Sequence, residues 1–235
     1  MHGEVFNVST LCKSIGRIQA PDSFLSKLFN DDYRGWPKAV GFKMMYDQAT
    51  MRELDPETWG PNIGNRIGDD LDTLKERAAR ASLDIELAFS QVWKRLQQDK
   101  SIRIIDLTRD NQFNADVSMQ LALMEDSWVN TKYRTKSLAI DATHLEFWLK
   151  RYDKCRAEYA SLFRDHNVLE LRFEDLSEHY DETVSRVYSF LGLSSPRQLK
   201  PPTRRQKTRS NAELITNLDA LQRHFRGSKW EPFVR

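Results

Sequence analysis

Arg109 and Ser118 are the two residues whose types and spacing point most directly to chemistry in this sequence. A guanidinium is planar, permanently charged and shaped to take two phosphate oxygens at once. A serine hydroxyl nine residues further on can add a donor from a following helix. A second concentration of charge, Arg197 to Arg209, holds six Lys or Arg among thirteen residues. The plain alternatives are a surface ion pair for Arg109, a water-facing helix position for Ser118 and a solvated loop for the run, the usual fate of charge runs. Nucleic-acid binding is a third reading of the run, but no aromatic residues interleave with its charges to stack on bases.

The elements that must position Arg109 and Ser118 lie between Ile102 and Trp128. Ile102, Ile104, Ile105 and Leu107 form a short apolar run, β-branched in part, of a length that suits a buried strand. Thr108-Arg109-Asp110-Asn111 then breaks it. Phe113, Val117, Leu121, Met124 and Trp128 follow at steps of four, four, three and four, the spacing of one helix face. Asp110 and Asn111 are good helix caps, and negative charge there suits the positive end of the helix dipole. The unit is a strand, a turn and a helix, with Arg109 at the strand's carboxyl end. Ligands of open α/β sheets bind at that end.

Leu107, Arg109, Asn111, Val117 and Ser118 form L-x-R-x-N-x(5)-V-S. This pattern resembles the 3′-phosphate-binding segment of sulfotransferases, enzymes that use 3′-phosphoadenosine 5′-phosphosulfate (PAPS) as co-substrate. The nearest branch is the bacterial one acting on carbohydrates and glycolipids, which includes nodulation-factor and trehalose sulfotransferases. Leu171 to Leu176, L-R-F-E-D-L, resembles a segment that recurs across the family before a helix ending F-L-G-L, here Phe190 to Leu193. The resemblance implies that Arg109 and Ser118 hold the nucleotide's 3′-phosphate. It also implies that a C-terminal basic loop, with Arg204, Arg205 and Lys207, folds over that phosphate. Glu4, within His2-Gly3-Glu4-Val5-Phe6, matches the position of a proposed general base. A positioned carboxylate can take the proton that an acceptor hydroxyl loses as its oxygen attacks sulfur. The alternative for Glu4 is a frayed, solvated terminal residue, and His2 is a lesser candidate for the same role.

The family carries a first strand and a Gly/Ser-rich loop that cradles the 5′-phosphosulfate, ahead of the segment matched by His2 to Phe6. No G-x-x-x-x-G-K-[ST] loop or relative of it occurs in these 235 residues. The expected fold is therefore α/β, a three-layer sandwich with a mostly parallel central sheet flanked by helices. It is the P-loop NTPase-like sulfotransferase fold with its first strand missing, in a single domain, 1–235, truncated at its N-terminus. The expected function is transfer of a sulfuryl group from PAPS to a hydroxyl of a carbohydrate or glycolipid. The alternative is an inactive sulfotransferase-like chain that persists as a binding module or remnant.

Composition narrows the classes further. A net charge of +2, with 40% hydrophobic and 30% charged residues, describes an ordinary soluble domain and no general polyanion binder. Cys12 and Cys155 are too few for a disulfide framework, and the five histidines show no paired spacing, so no metal site is expected. No apolar run approaches a membrane span and no signal peptide is visible, which reads as a cytoplasmic protein.

Elsewhere, residues 22–29 read as a short helix and Ala39 to Tyr46 as a second buried strand carrying Lys43, with Gln48 just beyond. Lys43 is either a cationic catalyst or a structural residue whose stem snorkels to a sheet edge. Leu54 to Asp70, with three glycines and two prolines, reads as a loop in which Trp59 either stacks on a sugar or packs on the core. A long helix from Leu71 to Gln98, a helix capped by Asp141, a strand from Val168 and a helix from Ser210 to Gly227 complete the alternation. Glu174 and Asp175 read as structural carboxylates that satisfy backbone donors at a helix entrance.

Overall fold

The computed structural model describes residues 2–30, 38–55, 61–125, 127, 133–195, 201 and 209–235. In chain order the elements begin with β1 (His2–Glu4), α1 (Val8–Leu11), α2 (Gly16–Gln19), α3 (Pro21–Asn30) and β2 (Phe42–Lys43). There follow α4 (Pro61–Arg80), α5 (Ile85–Gln98), β3 (Arg103–Thr108), α6 (Gln112–Glu125) and α7 (Ala142–Leu162). The chain closes with β4 (Asn167–Arg172), α8 (Phe173–Glu178), α9 (Tyr180–Phe190), α10 (Asn211–Leu214) and α11 (Leu218–Phe225). This is a helix-rich α/β protein with small sheets.

Two compact units emerge, one of residues 1–104 and 155–168, the other of 105–154 and 169–235. In the first, β1 and β2 pair in parallel, with His2 opposite Phe42, Glu4 opposite Lys43 and an irregularity between. Parallel pairing needs a crossover, which α1 to α3 supply. Phe6, Leu11, Ile18, Leu25, Leu74, Phe89 and Val92 fill its core. The Phe6 ring meets Phe24 and Phe42 edge-on, with centroids 5.6 and 5.8 Å away, a favourable aromatic geometry.

In the second unit β3 lies beside β4. A separate parallel bridge joins Leu138 to Ile215, closed by Leu138 N–H to the Leu214 carbonyl (2.8 Å) and Thr216 N–H to the Leu138 carbonyl (2.9 Å). Phe113, Val117 and Leu121 of α6 pack there with Leu145, Leu149, Leu221 and Phe225. The apolar stripe read from α6 thus holds through Leu121, whereas Met124 is exposed and Trp128 lies outside the described residues.

Several local expectations are revised. The strand expected over Ala39 to Tyr46 contracts to Phe42–Lys43. The Gln48 side chain accepts from Met45 N–H (3.1 Å), a local bond that competes with strand pairing. The expected loop before Asp70 contains the first turns of α4, opened by Pro61, a residue suited to the first helical position. The single helix expected from Leu71 to Gln98 is two. Ser82 takes a left-handed φ of 49°, and Leu83 N–H and Ser82 N–H bond the carbonyls of Ala78 (2.9 Å) and Ala79 (3.1 Å). That is a Schellman stop. Asp84 then caps α5, accepting from Leu87 N–H at 3.0 Å. β3 is less buried than its composition suggests: Ile105 and Leu107 are 36% and 49% exposed, since among the described residues its sheet has only two strands.

Candidate functional site

β3 ends at Thr108, a buried residue whose hydroxyl donates to the Leu171 carbonyl of β4 at 3.3 Å. Arg109 is the next residue, where the backbone leaves the sheet. The helix that follows starts because Asn111 caps it, its Oδ1 accepting from Asn114 N–H at 2.8 Å. The Gln112 amide donates to the Arg109 carbonyl and closes the turn from the other side.

The junction of β4 and α8 faces this turn. Glu174 Oε2 accepts from Asp110 N–H (3.1 Å) and Oε1 from Asn111 N–H (3.2 Å). The Arg109 guanidinium lies over the Phe173 ring, 4.6 Å from its centroid. Arg172 donates to Asp110 (3.3 Å) and, through two nitrogens, to Asp175 (3.0 and 2.6 Å). The hydrogen bonds and positive charge of Arg172 hold the Asp175 carboxyl below its ordinary range.

These contacts decide how an anion can be held. Backbone N–H groups at a helix N-terminus are the usual phosphate donors, but here Glu174 and Asn111 already occupy three of them. With those donors taken, a phosphate at this turn relies chiefly on side chains. Stacking on Phe173 uses the face of the guanidinium, while phosphate recognition uses its edge. Ser118 lies six residues into α6, a rise of about 9 Å from Gln112, and helix side chains lean toward the N-terminus. Its hydroxyl donates to the Asn114 carbonyl at 2.8 Å, so it can serve a phosphate only by rotating away from its own helix.

Glu4 belongs to the other unit. Its Oε1 takes the Lys43 ammonium at 2.7 Å, and its Oε2 takes the amides of Gln48 (2.8 Å) and Asn7 (3.1 Å). Burial acts to raise the Glu4 pKa, but Lys43, Asn7 and Gln48 overcome it and hold the carboxyl below its ordinary value. Asn7 also caps α1, accepting from Thr10 N–H at 2.8 Å. Buried Glu53 braces the same region through Val8 N–H (2.9 Å) and Ala49 N–H (3.2 Å). Burial pushes Glu53 up to about 8, so it is largely protonated at neutral pH.

Arg109 and Ser118 thus share one strand–turn–helix, while Glu4 sits at the β1–β2 pair. Arg204, Arg205 and Lys207, like Trp59, lie outside the described residues. The roles of Asn7 and Glu53 around Glu4, and of Phe173 and Glu174 around Arg109, are not visible as site features in the sequence. The only available signal is L-R-F-E-D-L itself, whose acidic residues read as serving their own helix entrance rather than the turn 64 positions earlier.

Comparison with known proteins bears on this second unit most directly. Residues 101–197, from β3 through α9, match the profile of the sulfotransferase family. The chain is also 26% identical over 138 residues to Nodulation protein H of Rhizobium tropici, a match covering 57% of this chain and 55% of that protein. The chain therefore spans about half the length of this relative. No solved structure matches it significantly. No helix among the described residues is long and apolar enough to cross a membrane.

Proposed function

We propose that the chain transfers a sulfuryl group from PAPS to a hydroxyl of a carbohydrate or glycolipid, within a three-layer sulfotransferase fold. The observation that carries this reading is Arg109 and Ser118 on one strand–turn–helix, inside the family-matching segment. The likeness to a nodulation protein supports a carbohydrate-type acceptor. Arg109 and Ser118 grip the nucleotide's 3′-phosphate, with Arg204, Arg205 and Lys207 closing over it. The acceptor oxygen attacks sulfur and the bond from sulfur to the 5′-phosphate oxygen breaks. Adenosine 3′,5′-bisphosphate leaves with the electron pair, and the acceptor's proton passes to Glu4. As in phosphoryl transfer, alignment and fixed donors supply most of the catalysis.

A second reading is a sulfotransferase-like module that binds nucleotide without turnover. The tethering of both Glu4 oxygens to three donors favours it, because those bonds stabilise the ionised form and lower its proton affinity. The test is release of adenosine 3′,5′-bisphosphate from PAPS in the presence of saccharide and glycolipid acceptors. Acceptor-dependent release, reduced in Glu4→Gln, supports the transferase. Binding without release supports the module, and absence of both defeats either reading.

A further inference from the structure

We infer that Glu174 is a positioning residue for the nucleotide's 3′-phosphate, acting through Arg109 by clamping the turn that carries it. The inference rests on the nucleotide reading above and adds to it a residue that never touches the ligand.

Three consecutive residues at the β4–α8 junction each hold one part of the turn after β3. Phe173 lies under the Arg109 guanidinium at 4.6 Å. Arg172 holds the Asp110 carboxylate at 3.3 Å. Glu174 takes both backbone donors that follow Arg109, from Asp110 at 3.1 Å and Asn111 at 3.2 Å. A bidentate carboxylate on two successive N–H groups fixes the peptide planes, and hence the direction in which the Arg109 side chain departs. Arginine loses affinity when its long stem must be ordered by the ligand itself, so ordering it in advance is worth binding energy.

Two physical effects of Glu174 oppose each other, and their signs differ. Its negative charge lies close to an anion seat and repels a phosphate. If electrostatics dominated, removing the charge would tighten nucleotide binding. If the clamp dominates, removal frees the turn and weakens binding. The structure favours the clamp, because both carboxylate oxygens face backbone donors of the turn. Glutamine cannot imitate it, since one of its two terminal groups is a donor and would face an N–H.

The experiment is calorimetric titration of adenosine 3′,5′-bisphosphate into the full chain as wild type, Glu174→Gln, Glu174→Asp, Arg109→Ala and the Arg109→Ala/Glu174→Gln double variant. Thermal melts run alongside. Glu174→Gln should weaken binding about five- to tenfold, the scale of one or two lost hydrogen bonds. Glu174→Asp, which keeps a carboxylate, should fall between it and wild type. The double variant should bind no more weakly than Arg109→Ala alone, because Glu174 acts only through that residue. A residue serving stability alone would lower the melting temperature and add its loss independently of Arg109. Unchanged or tighter binding in Glu174→Gln, with Arg109→Ala impaired, overturns the positioning role and leaves the phosphate seat standing. Additive losses in the double variant overturn it too. Unchanged binding in Arg109→Ala removes the seat itself. If Glu174→Gln does not fold, Glu174→Asp and its double variant with Arg109→Ala carry the same comparison.

Discussion

Replacing Glu53 with glutamine should flatten the fall of stability with pH across the neutral range. Glu53 is 3% exposed, and burial raises its pKa from 4.5 to about 8. Below about pH 4.5 the side chain is protonated in both the folded and unfolded chain, so folding takes up no proton there. Between that value and about 8 the unfolded chain has released the proton and the folded chain retains it. Stability therefore falls as pH rises through this window and levels off above it. Each tenfold difference in proton affinity between the two states is worth about 1.4 kcal/mol at most, and relaxation and water entry reduce the total to roughly 2–4 kcal/mol across the window. Glutamine keeps the shape of the protonated acid and an acceptor for Val8 or Ala49 N–H. The variant should match wild type near pH 5 and exceed its stability near pH 8. Urea unfolding at pH 5, 6, 7 and 8 measures this directly. A difference between the two proteins that stays constant with pH refutes a neutral, buried Glu53.

Three further outcomes are expected. Lys43→Ala should raise the Glu4 pKa toward its ordinary value, as read from a carboxyl NMR titration; the stabilisation that Glu4 gains from its charged state is present above about pH 4.5 and is lost as pH falls through its lowered pKa. An unmoved Glu4 titration would show that Asn7 and Gln48 alone hold it. Asn111→Ala removes the α6 cap and should cost about 1 kcal/mol of stability by chemical denaturation; no loss would mean that Glu174 suffices to start the helix. Ser118→Ala should leave stability within about 0.5 kcal/mol, because its hydroxyl donates back to its own helix. The same variant should weaken adenosine 3′,5′-bisphosphate binding by about 0.5–1.5 kcal/mol, and equal affinity would remove Ser118 from the seat.

What the sequence disclosed depended on whether the relevant contact was local. The Ser210–Glu213 capping box is formed as its spacing implied, and Asp141 accepts from His144 N–H at 2.7 Å at the start of α7. Gly192, with φ 72°, ends α9 through Leu193 N–H to the Tyr188 carbonyl at 2.8 Å. Each of these is decided within a few residues. The stop at Ser82 has the same hydrogen bonds as the one at Gly192 but lacks the glycine that usually marks it, so the apolar periodicity runs straight through it. Pro61 and the glycines after it suggest a loop, although a proline at the first helical position starts a helix as readily as it ends one. The tether of Glu174 to the Arg109 turn spans more than sixty residues. No periodicity or spacing could reveal it.

A 3′-phosphate seat built from side chains at the end of β3 underlies everything proposed for this chain. Its most direct measurement compares adenosine 3′,5′-bisphosphate with adenosine 5′-monophosphate, titrated into wild type and Arg109→Ala. Wild type should prefer the bisphosphate, and Arg109→Ala should lose about 1.5–3 kcal/mol toward it, the scale of a charge-assisted bond, with little change for the monophosphate. Equal affinity of wild type for the two nucleotides, or an Arg109→Ala variant that still discriminates between them, would contradict a seat at this turn.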